Sequence, residues 1–122
     1  MKILSEKIMS TEQVENETDY VVCKVDSREN KRYYNSEGQY HREDGPAVEF
    51  ANGDKFWHIN NKLHRDDGPA LELINGGKSW WINGKFHRED GPAIERTDGD
   101  KIWYLNGKEV DEETVRKIGK MK

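Results

Sequence analysis

The sequence is poor in the residues that usually hold a small domain together. Leu, Ile, Val and Phe make up only about 19% of its 122 residues, a level at which disorder becomes a concern. It has one cysteine, Cys23, and three prolines. A single thiol excludes an internal disulfide framework and the disulfide-dense secreted class that goes with it. No apolar stretch approaches the roughly 18 to 20 residues that a spanning helix needs. The segment Met1-Lys2-Ile3-Leu4-Ser5-Glu6-Lys7 lacks the apolar run of a signal peptide, so a cytoplasmic location is expected, the host cytoplasm if a phage encodes the chain. Net charge is also small: 20 basic against 24 acidic side chains leave -4. A pI near 5.6 gives no general attraction for nucleic acid or anionic lipid. Neither nucleic acid nor membrane is an expected partner.

What is present points to order. Charged residues reach 36% against about 25% in an ordinary domain, but the two signs nearly cancel. Four Trp and five Tyr are more than disordered segments carry.

A 23-residue repeat organises the chain. HREDGPAVEFANGDKFWHINNKL (41–63), HRDDGPALELINGGKSWWINGKF (64–86) and HREDGPAIERTDGDKIWYLNGKE (87–109) align without a gap. All three prolines, Pro46, Pro69 and Pro92, share one column, as do His41, His64 and His87, and Trp57, Trp80 and Trp103. A degenerate copy spans 20–40, with Val25 in the column of Val48, Tyr34 in that of Trp57 and Gly38 in that of Asn61. The expected organisation is a flexible or loosely helical segment 1–19, a repeat domain 20–110, and a short C-terminal helix or tail 111–122. Within the last, Asp111 to Lys117 set acids in a first turn and bases in a last, as a helix prefers. That helix is expected to cap the open end of the array.

Each repeat carries two hairpin signals, Asn52-Gly53 and Asn60-Asn61 in the first, with Asn75-Gly76, Asn83-Gly84, Asp98-Gly99 and Asn106-Gly107 following. Such pairs supply the positive φ of a two-residue type I′ turn. Counting outward from the first turn sets Phe50 opposite Lys55, Glu49 opposite Phe56 and Val48 opposite Trp57. The second sets Ile59 opposite Lys62, His58 opposite Leu63 and Trp57 opposite His64. Side chains alternate between faces. One face then holds Val48, Trp57, Ile59 and their column partners, which repeat faithfully and should be buried. The other holds Phe56/Ser79/Ile102, His58/Trp81/Tyr104 and Leu63/Phe86/Glu109 beside the row Glu49/Glu72/Glu95. It should be exposed.

The 23-residue period, the Asn/Asp-Gly turn shortly before an aromatic pair, and the segments Trp80 to Lys85 and Trp103 to Lys108 resemble the MORN-type repeat. The likeness is to the variant of short phage and bacterial proteins and to the YwqK-like, antitoxin-related group. It covers about 90 of the 122 residues and departs from the common pattern at His-Arg-Asp/Glu-Asp-Gly-Pro-Ala. The resemblance implies an all-β fold, an elongated single-layer antiparallel sheet of stacked hairpins, used mainly as a binding or scaffolding surface. It also implies an inhibitor, anti-defence or antitoxin-type role.

The residues themselves offer little chemistry. His41/Asp44, His64/Asp67 and His87/Asp90 recur at i, i+3. Two strands per repeat would separate successive histidines by roughly 10 Å, too far for one zinc with ligands about 2 Å away. The expected role of these residues is structural, His packing on Trp and bonding the Asp of the Asp-Gly-Pro corner while Arg pairs with acids. No phosphate-cradling G-x-x-x-x-G-K-[ST] occurs, and no cofactor or metal is expected. Cys23 lies in the apolar strand Val21 to Val25, where a buried, inert thiol is expected. Polar residues repeated in triplicate point away from the single asymmetric site of an enzyme.

The expected site is the exposed face: Tyr33, Phe56, His58, Trp81, Phe86, Ile102 and Tyr104, bordered by Glu49, Glu72 and Glu95. Aromatics with a polar rim suit a protein partner. A homodimer, or internal cover by the N-terminal segment or the C-terminal helix, is also open. A nucleotide-like ligand stacked between Trp81 and Tyr104, near Arg65, Arg88 and Lys78, is the alternative function, followed by a structural scaffold or a metal-dependent enzyme.

Overall fold

The computed structural model describes residues 7–8 and 20–121; the rest of the segment 1–19, for which mobility or loose helix is expected, lies outside the described residues. Among the described residues the chain is all-β with a single short C-terminal helix, and its sheets are antiparallel and open. It forms two units, Met1–Lys62 and Leu63–Lys122. In the first, β1 (Lys7–Ile8), β2 (Val22–Val25), β3 (Lys31–Tyr34), β4 (Val48–Glu49) and β5 (Lys55–Phe56) pair in chain order. β6 (His58–Ile59) follows, and the chain crosses into the second unit within β7 (Lys62–Leu63). There β8 (Leu71–Glu72), β9 (Lys78–Ser79), β12 (Ile94–Glu95), β13 (Lys101–Leu105) and β14 (Lys108–Val110) pair in that order, while β10 (Trp81–Ile82) and β11 (Lys85–Phe86) form their own hairpin.

The two turns of each repeat differ in kind. The second is the expected two-residue loop: Asn60 and Asn61, Asn83 and Gly84, and Asn106 and Gly107 all have positive φ, and Ile82 pairs with Lys85 and Leu105 with Lys108. The first is not. Only its glycine has positive φ, 106° at Gly53, 101° at Gly76 and 97° at Gly99. Gly53 N–H donates to Phe50 O at 2.9 Å while Phe50 N–H donates to Asp54 O at 2.9 Å. This is a three-residue loop, a type I turn closed by a glycine bulge. The Asn or Asp before the glycine uses its side chain instead of a positive φ: Asn52 Oδ1 accepts the Asp54 N–H at 2.9 Å, and Asp98 Oδ1 accepts that of Asp100 at 2.9 Å.

The extra residue shifts the register by one and corrects the pairing. Val48 sits opposite Phe56 and Glu49 opposite Lys55, so Val48, Leu71 and Ile94 move to the face of Phe56, Ser79 and Ile102, and the glutamate row joins the face of the tryptophans. The degenerate copy is offset likewise. Tyr33, not Tyr34, takes the Trp position: its N–H donates to Ala47 O as Trp80 N–H donates to Ala93 O.

The invariant segment of each repeat builds a corner around arginine. Arg88 lies over the Trp80 ring at 3.8 Å, donates Nε to Asp90 at 2.8 Å, and donates Nη1 to Pro92 O at 3.1 Å and Glu95 at 3.2 Å. Arg42 repeats this over Tyr33 at 4.0 Å with Asp44 and Pro46 O, and Arg65 with Asp67, Pro69 O and Glu72. The guanidinium fills the space over the next glycine, where a Cβ on Gly91 would meet Arg88 Cζ at 2.8 Å. The following alanine is wholly buried, 0% exposed at Ala47, Ala70 and Ala93. Its N–H donates across the sheet to Phe56, Ser79 or Ile102 O.

Histidine does a backbone's work. Nδ1 of His41, His64 and His87 accepts the N–H of Asn60, Asn83 and Asn106, at 2.9 to 3.0 Å, which places the ring proton on Nε2. Nε2 donates to Glu43, Asp66 and Glu89 at 3.3, 3.1 and 3.0 Å. The structural role is as expected but the partners are exchanged: His takes the first acid of the motif, and Arg takes the Asp before Gly.

In the first unit Val21, Cys23, Tyr33 and Ala47 form the core, and Cys23 is a free, buried thiol. Burial pushes the Tyr33 hydroxyl up to about 12. In the second, α1 (Glu112–Met121) starts on Asp111, whose carboxylate accepts the Thr114 N–H at 2.9 Å and hydroxyl at 2.7 Å. The helix buries Val115 on the side of Trp103 and Pro92.

Glu29 stands at φ 71° where the first turns of the other repeats have glycine, and Asp26, bonded by the Asn30 and Arg28 N–H and by Arg32, holds its carboxyl at about 2. Glu29→Gly relieves the left-handed strain and should raise stability by about 0.5 to 1 kcal/mol in chemical denaturation. Arg88→Lys, which cannot reach three acceptors and stack at once, should cost about 2 kcal/mol in the same measurement.

Candidate functional site

The register assembles a continuous apolar face in the second unit. Ser79 pairs with Leu71 on one side and Ile94 on the other, and Ile94 pairs in turn with Ile102. Leu71, Ser79, Ile94 and Ile102 therefore form one row. Two residues further along their strands, Trp81 and Tyr104 point to the same face, and Phe86 pairs with Trp81 across the β10–β11 hairpin. The rings touch in sequence, Trp81 to Phe86 at 3.9 Å and Phe86 to Tyr104 at 4.8 Å between centroids. Trp81 Nε1 donates to Ser79 Oγ at 2.8 Å, which pins the indole over the row. Beside it opens a groove of about 420 Å³, with Leu71, Ser79, Trp81, Phe86 and Ile94 among its walls.

Four of the expected residues, Trp81, Phe86, Ile102 and Tyr104, are thus brought together and half-buried. Phe56 and His58 belong to the first unit. Phe56 meets Phe50 edge-on at 5.7 Å, and His58 lies 5.2 Å from the Tyr40 ring, which stacks on Tyr34 at 5.4 Å. Tyr33 does not line an exposed face: it is 5% exposed, in the core beside Cys23, because the one-residue offset of the degenerate copy puts it in the Trp position. The glutamate carboxylates turn to the corners, although Glu95 also borders the groove beside Trp81 and Phe86. Glu72 and Glu95 bond Arg65 and Arg88 at the corners of the second unit, on the side of its sheet where α1 packs, and in the first unit Glu49 lies 3.6 Å from Arg42. Cover of the aromatic strip by the helix is therefore corrected too.

No family model, curated protein or solved structure matches the chain.

The residues that a two-residue first turn leaves off this face are Leu71 and Ile94, and a signal for them is present. A two-residue first turn sets Glu49, Glu72 and Glu95 opposite Phe56, Ser79 and Ile102; a three-residue turn sets them opposite Lys55, Lys78 and Lys101. Opposite charge at every pair favours the latter. The face so built offers apolar contact and ring stacking. Among the described residues no group of three or more His, Cys, Asp or Glu could hold a metal ion, and no helix is long and apolar enough to cross a membrane.

His58 takes the place that Trp81 and Tyr104 take in the other repeats, and its Nδ1 is buried without a hydrogen-bond partner. Burial lowers its pKa below the ordinary 6.5. The unfolded chain then takes up a proton that the folded protein refuses, so this residue costs stability as pH falls from 6.5 through the lower folded-state value. His58→Tyr should remove that component: between pH 7 and pH 5 (a range of about two units around an ordinary imidazole) the variant should lose less stability than the parent in urea titrations.

Proposed function

We propose that the protein is a non-enzymatic protein-binding module that receives its partner on the aromatic face of the second and third repeats. The observation that carries this reading is the run of touching rings Trp81, Phe86 and Tyr104, continuous with an apolar row and an open groove. Tyr and Trp are the residue types that dominate binding energy at protein interfaces, and a contiguous exposed patch of this kind has a cost in water that a partner removes. The helix supports the same reading, since it packs by Trp103 and Pro92. Within that function we propose the inhibitor, anti-defence or antitoxin-type role that MORN-like repeats of short phage and bacterial proteins suggest, exercised in the cytoplasm.

Affinity capture from a lysate of the source cell, followed by calorimetry with the captured partner, tests the assignment. Trp81→Ala combined with Tyr104→Ala should keep the circular dichroism spectrum and weaken binding about a hundredfold or more. Unchanged affinity in the folded double variant removes this face from the function. A parent that is dimeric by light scattering, with a double variant that is monomeric, makes the face a self-interface and overturns the reading.

A further inference from the structure

The second repeat departs from its neighbours at positions that border one groove. Where the first and third repeats carry Phe56 and Ile102, it carries Ser79; where they carry Asp54 and Asp100, it carries Gly77. Gly77 and Ser79 are buried and form the floor. Leu71 and Ile94 flank Ser79 from the two neighbouring strands, roughly 10 Å apart across two strand spacings. Asn75, on the first turn of the repeat, lines one end. Trp81, held by Ser79 Oγ, closes the other.

The missing volume has a definite chemistry. In the third repeat Ile102 packs opposite Ile94, and in the first Phe56 packs opposite Val48; the second repeat keeps the apolar flanks and removes the side chain that fills the space. The Ser79 hydroxyl is engaged by Trp81. Charge does not select the occupant, because the charged residues bordering the groove are Lys78 and Arg96 against Glu95 and Asp98, and Lys78 is the cross-strand partner of Glu95. A neutral apolar group fits these walls, and a phosphate-bearing ligand finds no excess of positive charge.

We propose that this groove is the anchor site for a partner polypeptide and takes one large apolar side chain of the Phe or Ile class, supplied from outside where the neighbouring repeats supply their own. The proposal rests on the protein-binding reading and deepens it by naming the anchor.

The test uses a random short-peptide library displayed on phage, selected on the immobilised full chain, with three variants. Selected peptides should share one large apolar residue, and its replacement by Ala should weaken binding about ten- to a hundredfold. Ser79→Ile, which restores the residue of the third repeat and fills the groove, should do the same while raising or preserving Tm. Ser79→Ala leaves the groove open and removes only the bond to Trp81, so it should stay within about threefold of the parent. No enrichment, peptides without a shared apolar residue, or equal binding to Ser79→Ile overturns the proposal. So does a parent dimer that Ser79→Ile converts to monomer, because a second copy is then the occupant. If Ser79→Ile binds normally while Trp81→Ala with Tyr104→Ala does not, the anchor falls and the binding face stands; if both bind normally, both fall.

Discussion

The arginine of each corner is the interaction on which the rest of the repeat depends. A planar guanidinium lies over an aromatic ring, reaches an aspartate, a proline carbonyl and a glutamate, and occupies the space above a glycine. Five otherwise unrelated columns of the sequence thereby become one object. A Cβ on the glycine would meet the guanidinium at 2.8 Å, the proline carbonyl accepts from it, and the Asp and Glu neutralise it at the surface. Because the ring, the corner and the glutamate come from different strands, closing this contact also sets how those strands lie. This is how a chain with so few aliphatic side chains holds together: the stabilising contacts are aromatic and cationic and lie within a repeat or between successive repeats, and the fully buried positions need nothing larger than alanine.

The histidine supplies a second economy. The residue that opens each repeat supplies an acceptor to its second turn: the imidazole Nδ1 takes the N–H of the first residue of that turn. A carboxylate on the other ring nitrogen holds the tautomer that makes this work. Histidine, arginine and two acids in succession look like catalytic or metal-binding material, yet here they complete hydrogen bonds that a sheet would otherwise leave open.

The composition of the two faces follows from a single extra residue in the first turn. With a two-residue loop the glutamate side chains would share the aromatic face; with the observed bulge Leu71 and Ile94 share it, and the glutamate carboxylates bond the corner arginines. The face is consequently less polar than alternation from a tight turn implies. Regularity then makes the exceptions informative. Positions that pack within each repeat hardly vary, whereas Ser79 and Gly77 trade bulk for a groove at one place only.

The sequence by itself determined the period, the two hairpins per repeat, the all-β class and the C-terminal helix, because Asn/Asp-Gly turns, alternating side chains and helix-end charges act over a few residues. The same locality made the second turn readable: two successive residues with positive φ leave a two-residue loop as the outcome. The first turn carries the same Asn/Asp-Gly letters, and local preference does not separate its two forms. Cross-strand partners decide between them, Glu against Lys and the alanine ladder beneath, and those are contacts of the folded sheet. Tertiary structure alone therefore decided which residues share a face, that Tyr33 rather than Tyr34 enters the core, and that the small residues of the second repeat open a groove. In a strand, a shift of one residue turns every side chain over, so the smallest uncertainty in a turn becomes the largest difference in a surface.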